Sequence, residues 1–207
     1  MEAEPRLTVG LVAAVLLAVA VSWIQAPYPK EMVLQHVPTA LALGTWAILA
    51  RRFPLSDGSA LCLAAILLLH VLGARYLYSY VPYDDWLRHL FGADLTSTLG
   101  WRRNHYDRLV HLAFGALSVR PAREILVAHL RMPRRLASYA AFEFVLAVSA
   151  VYELVEWILS IVLAPEAAGE YNGQQGDPWD AQKDMALAAA GALFALALGR
   201  MRRLRRR

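Results

Sequence analysis

Three short stretches place carboxylates and an imidazole inside otherwise apolar sequence. In "SAVYELVEWILS" (149–160), Ser149, Glu153, Glu156 and Ser160 fall at i, i+4, i+7 and i+11, one stripe on one side of a helix. In "NHYDRLVHLAFG" (104–115), Asp107 and His111 are four apart and share a face, with Gly115 one turn further on. In "GDPWDAQKDM" (176–185), Asp180 and Asp184 share a face in line with Gly191, after Asp177 as a cap and Pro178 at the first helical position. Carboxylates with an imidazole make a hard donor set suited to a divalent ion: Mg²⁺, Mn²⁺, Zn²⁺ or Fe²⁺. His111, Glu153, Glu156 and Asp184 are the expected metal ligands. Asp107 and Asp180 are the expected catalytic groups beside them.

The spacing supports more than one use of such a cluster. There is no HExxH, and no ExxH pair of the di-iron bundles. A metal-dependent membrane enzyme would activate water against a lipid or a lipid-linked phosphate or ester. A small transporter or channel would use the same carboxylates to bind a cation or relay protons. A non-catalytic scaffold would use them to fix helix packing. Against transport stand the lack of an internal repeat and cytoplasmic halves built almost wholly of Leu and Ala.

The elements that must carry these residues are membrane helices. The chain has 207 residues, 58% of them hydrophobic, against about 45–50% for a soluble domain. The excess lies in long runs rather than alternation, so the class is all-α: a polytopic six-helix transmembrane bundle. The runs predict spans near 7–24, 32–50, 60–81, 105–128, 136–163 and 180–199, in a single transmembrane domain with a basic tail over 200–207. The first run lacks a basic start beyond Arg6 and a small-residue cleavage site, so it reads as a retained helix. In the fourth, Arg120 and Pro121 predict that the membrane part ends near Val119, with "AREILVAHL" running on as a kinked or interfacial helix. Between the third and fourth, Trp86, Leu87, Leu90 and Phe91 recur at helical spacing, which predicts a short interfacial helix in an outer loop.

Charge sets the orientation. Arg6, Arg51, Arg52, five arginines between Arg120 and Arg135, and six from Arg200 onward fall on one side. Lys30, Arg88, Arg102, Arg103 and Lys183 fall on the other. The positive-inside bias then gives a multi-pass membrane protein with both termini in the cytoplasm. The same bias accounts for the arginine-rich tail without a nucleic-acid partner; the expected partners are membrane lipids, a small-molecule or lipid substrate, and other copies in a homo-oligomer. The lone cysteine, Cys62, excludes a disulfide framework and a Cys-based metal site.

Depth brings the stretches together. His111, Glu156 and Asp184 each lie about 9–10 Å below the outer end of their helix, Glu153 one turn deeper, Asp107 and Asp180 one turn shallower. His36 is within reach of this layer, and His70 lies nearer the midplane. Arg75 and Arg108 are the arginines nearest the level. A polar chamber open to the outer face is expected, with Trp86, Trp101, Trp157 and Trp179 around its entrance.

"RNHYDRLVHLAFG", "YELVEW" and "QGDPWDAQKDM", in that order, resemble the motifs of the YjdF-like bacterial inner-membrane proteins, a family of unknown function. The resemblance covers roughly residues 60–200 and implies a six-helix inner-membrane protein. Its hallmark residues here are Asn104, Tyr106, Asp107, Arg108, His111, Glu153, Glu156, Gly176, Asp177, Trp179, Asp180 and Asp184. After His111 the family often carries a further polar residue where this chain has "LAF". The resemblance supplies no activity.

Overall fold

The structure is a computed structural model that describes residues 5–162 and 175–204. The expected connector over 163–174 and the last residues of the basic tail lie outside the described residues. Eight helices are described: α1 Pro5–Ser22, α2 Pro29–Arg52, α3 Asp57–Arg75, α4 Tyr83–Phe91, α5 Leu95–Thr98, α6 Tyr106–Ala128, α7 Arg134–Val162 and α8 Asp180–Leu204. The described residues contain no strand. Four helices, α2, α3, α7 and α8, are long and apolar enough to cross a membrane, and α1 adds a shorter apolar stretch, Leu7–Ser22. The fold is all-helical.

Local chemistry sets the helix ends. Pro29 opens α2 and Arg51 and Arg52 close it, each suited to its end of the helix dipole. The first turn of α3 is capped from another helix. The Ser56 amide and hydroxyl donate to the Glu124 carboxylate at 2.5 and 2.6 Å, and the Ser59 hydroxyl donates to it as well. The Arg120 guanidinium lies over Gly58, where a Cβ would overlap it. Arg75 at the far end of α3 donates to the carbonyls of Ser22 and Ile24, at 2.5 and 3.0 Å, and so satisfies groups left open where α1 ends. It is therefore committed to α1 and not to the carboxylate layer.

One boundary differs clearly from the sequence reading. The third helix stops at Arg75 rather than running to 81. Leu77 and Tyr78 take left-handed backbone angles, φ +49° and +57°, which cost energy in residues with a Cβ. Burial of both side chains offsets that cost. The Tyr78 amide also donates to Gly73 O at 2.8 Å, its ring lies where a Cβ on Gly73 would stand, and its hydroxyl meets the His70 ring. Past Pro121 the helix runs on as expected: α6 continues to Ala128 with Pro121 inside it and buried. The Arg120 and Glu124 contacts to α3 hold the segment that proline alone would loosen.

Two packed groups meet along α3 and α6. Val15, Trp46, Ala60, Ala64 and Leu67 join α1, α2 and α3. Val119, Ala141, Val145, Ala188 and Ala192 join α6, α7 and α8. The small residues in the second group allow the close backbone approach on which helix association in a membrane depends. Closest of all is the α6–α8 pair: a Cβ on Gly115 would overlap the Ala188 carbonyl, and one on Gly191 the Leu112 carbonyl. Because the obstacle is backbone, it has no rotamer to move to. Gly191→Leu is therefore expected to lower stability by at least about 2 kcal/mol. Gly44→Ala, with open space around it, should stay within about 1 kcal/mol of the parent. Thermal unfolding of both variants in mild detergent makes the comparison.

Candidate functional site

The α6–α8 contact fixes the level of the side chains one turn before it. His111 precedes Gly115 by four residues, and Asp184 precedes Ala188 by four, so both point into the same layer. One donor atom each from Asp107, His111 and Asp184 lies within 4.8 Å of the others. Glu153 enters from α7: His111 Nε2 is 3.6 Å from Glu153 Oε1 and 3.6 Å from Asp107 Oδ1. All four side chains are buried, Asp184 to 1% exposure. Asp184 Oδ1, Glu153 Oε1 and Ser149 Oγ are buried without a hydrogen-bond partner. Such atoms are uncommon, since a polar atom left bare in an apolar interior costs about 1–3 kcal/mol. Three helices thus converge two unsatisfied carboxylate oxygens and an imidazole.

Of the six expected site residues, His111, Glu153, Asp184 and Asp107 come together. Glu156 is half-buried and bonds Tyr152 on its own helix. Asp180 is taken up by arginines: its Oδ1 accepts from Arg103 at 2.6 Å and Arg108 at 2.7 Å. Asp177 joins the same group, 2.8 Å from Arg108 and 2.7 Å from Lys183. The Lys183 bond, with the Trp179 amide and the nearby Arg108, holds its carboxyl down at about 2. This ion-paired layer sits one turn above the cluster.

The other histidines serve packing. His36 sits 3.2 Å from both Ser22 Oγ and Thr39 Oγ1, and His70 lies 3.0 Å from the Gln35 carbonyl as well as against Tyr78. Two contributors escaped the sequence reading. Arg103 pairs with Asp180 across 77 residues, and nothing local announces such a partner. Tyr152 brings its ring to 5.9 Å from that of His111; its place directly before Glu153 was the available signal.

The segment leading into α6 is tied down residue by residue. The Asn104 amide side chain donates to Val81 O at 2.9 Å while its Oδ1 accepts from the Tyr106 amide at 3.0 Å. Its backbone amide and carbonyl both bond the Gln175 side chain at 3.0 Å. The Tyr106 hydroxyl donates to Leu69 O at 2.8 Å. These bonds connect α3, α6 and the approach to α8 directly above the cluster.

Below it opens a cleft of about 860 Å³. Asp107, His111, Ser149, Tyr152 and His70 line one end; toward the other end α2, α3, α6 and α7 contribute mostly apolar walls, including Trp46, Phe53, Phe114, Ile125 and Phe144. A molecule with a polar end and a long apolar body matches that division.

Residues 7–205 match the family described as "Predicted membrane protein (DUF2238)". The chain belongs to this family. It is also 35% identical over 177 residues to the inner membrane protein YjdF of Escherichia coli (strain K12), covering 83% of this chain and 74% of that protein. No solved structure matches. Family membership makes the chain an integral membrane protein of unknown function. The match spans the α6, α7 and α8 stretches that build the cluster, and the N-terminal helices as well.

The ion-paired layer gives a test of its own. Arg108→Gln leaves Asp180 with Arg103 alone and is expected to destabilise by about 2 kcal/mol. The double variant with Asp180→Asn should recover part of the loss, a coupling of at least about 1 kcal/mol. Arg88→Gln, in a pair 56% exposed on the arginine side, should cost less than about 1 kcal/mol. Unfolding midpoints of the parent, Arg108→Gln, Asp180→Asn, the double variant and Arg88→Gln read the cycle and its control.

Proposed function

We propose that the protein is a metal-dependent membrane enzyme that acts on a lipid or lipid-linked phosphate or ester. The observation that carries this reading is the pair of bare carboxylate oxygens, on Asp184 and Glu153, beside His111 at the polar end of an apolar cleft. Donor atoms on one ion with bonds of about 2.1 Å lie up to about 4.2 Å apart. Asp107, His111 and Asp184 offer donor atoms within 4.8 Å of one another, close to that span. Asp184, His111 and Glu153 would hold the ion, with Asp107 as fourth ligand or as the base that takes a proton from water. A divalent ion there would lower the pKa of a bound water and polarise an ester or phosphoryl oxygen. Glu156 and Asp180 support the site from one turn away, Asp180 by fixing Arg103 and Arg108 above it.

The reading includes a membrane placement. Six spans, formed by α1, α2, α3, α6, α7 and α8, put both termini in the cytoplasm and the cluster near the outer face. α4 and α5 lie along the outer interface. Their exposed Trp86, Leu90, Phe91 and Leu95 support that position, and the arginine asymmetry supports the orientation. Cation flux is the weaker reading because the cleft walls beyond the polar end carry only Thr45 and Ser118 as polar residues.

Elemental analysis of the protein purified in mild detergent without chelator tests the metal site. About one divalent ion per chain is expected, falling to about a tenth or less in Asp184→Asn and in His111→Ala. Glu31→Gln, on the first turn of α2, should keep it. A folded parent that takes up no Mg²⁺, Mn²⁺, Zn²⁺ or Fe²⁺ ends the proposal.

A further inference from the structure

We infer that the cleft takes a lipid whose hydrocarbon chain is longer than one leaflet, of the polyisoprenyl class, with its headgroup at the Asp107–His111 end. This inference rests on the membrane placement and lipid substrate proposed above, and it adds the chain.

Length is the first argument. The lining runs from Asp107 to Leu126 on α6, from Pro38 to Phe53 on α2 and from Ala140 to Tyr152 on α7. At 1.5 Å per residue these walls are about 28, 22 and 18 Å long. A hydrocarbon core of about 30 Å leaves about 15 Å to each leaflet. An ordinary acyl chain anchored at the outer end would therefore stop short of Phe53, Ala122 and Leu126. A chain that enters from the same headgroup and fills the cleft must cross the midplane.

Access is the second argument. Leu41 on α2 and Phe144 and Val148 on α7 line the cleft while staying 67%, 51% and 37% exposed. These side chains form the lips of a lateral opening between α2 and α7, with α3 and α6 as its floor. In the proposed placement that opening faces hydrocarbon, so a chain enters sideways without leaving the bilayer. Polarity is the third. The titratable groups of the lining, His70, Tyr78, Asp107, His111 and Tyr152, belong to one end, which fixes the direction in which an amphiphile lies. Phospholipid tails from the two leaflets meeting in the cleft are the competing occupancy.

Native mass spectrometry of the full chain in detergent distinguishes them, with undecaprenyl phosphate, farnesyl phosphate and dioleoyl phosphatidic acid as probes that share a phosphate and differ in chain. Undecaprenyl phosphate is expected to bind at least about tenfold tighter than the other two. Ala122→Trp and, from the facing helix, Ala50→Trp fill the far end of the cleft. They should abolish that preference while leaving farnesyl phosphate binding within about twofold of the parent, which also certifies their fold. Equal binding of all three probes, tighter binding of phosphatidic acid, or a preference that survives both plugs overturns the inference. Elemental analysis is read separately. Chain-length preference without bound metal would sink the metal reading alone; bound metal without the preference would sink this one alone.

Discussion

The close approach of α6 and α8 is the constraint from which the rest of the arrangement follows. Gly115 faces the Ala188 carbonyl and Gly191 faces the Leu112 carbonyl, contacts between backbones rather than side chains. The two helices run the same way, so the spacing of four repeats on both: Asp107, His111 and Gly115 on one, Asp180, Asp184 and Ala188 on the other. Setting glycine against alanine sets His111 level with Asp184, and Asp107 level with Asp180. A side chain inserted at either glycine would separate the helices and spread the polar layers with them. The third carboxylate depends on the same contact. α7 packs against both helices through the fully buried Ala141 and Val145, which delivers Glu153 two to three turns later to His111.

The remaining helices are held to this core through α3. Its first turn is capped by Glu124, and the Tyr106 hydroxyl near the top of α6 bonds its second half through Leu69 O. α1 and α2 follow α3, through Arg75 on the carbonyls of α1 and through Trp46 in the shared core. The cleft is a consequence. Helices α2 and α7 each pack on one side of the α3–α6 seam, and the space between them stays open.

How much of this was legible in the sequence depended on the range of the interaction. The cluster was legible because a period of four is visible within one helix, and because equal depth on three helices needs only a count of residues. That reasoning set His111, Glu156 and Asp184 at one depth with Glu153 one turn deeper, and the structure gathers His111, Asp184 and Glu153. Glu156, three residues beyond Glu153 on the same stripe, bonds Tyr152 on its own helix. The same reasoning gave Asp180 a chemical role that proximity to Arg103 alters, because the partner lies 77 residues away. The end of α3 was missed for a different reason. "RYLYSY" has the apolar and aromatic character of a continuing helix, and only the tertiary fit of Tyr78 over Gly73 makes a left-handed turn there affordable.

The distribution of positive charge is what gives the cluster its chemical interest. Arg103, Arg108 and Lys183 stand close to five acidic residues, yet all three turn toward the upper layer, onto Asp177 and Asp180. That layer is balanced by direct pairs and is accounted for as structure. Beneath it, Asp184 and Glu153, with Asp107 reaching down from the level of Asp180, have His111 as their one cationic neighbour among the described residues. Three carboxylates and one imidazole in an apolar surrounding cannot all carry their charges unaided, because removing an ion from water costs several kcal/mol before any partner is found. The deficit must be met by protons or by a bound cation. Protons would explain buried acids that bond one another, whereas Asp184 Oδ1 and Glu153 Oε1 are left without hydrogen-bond partners on different helices around the same imidazole. Oxygens bare on converging side chains are an arrangement that an ion would complete, and the proposed cation site rests on them.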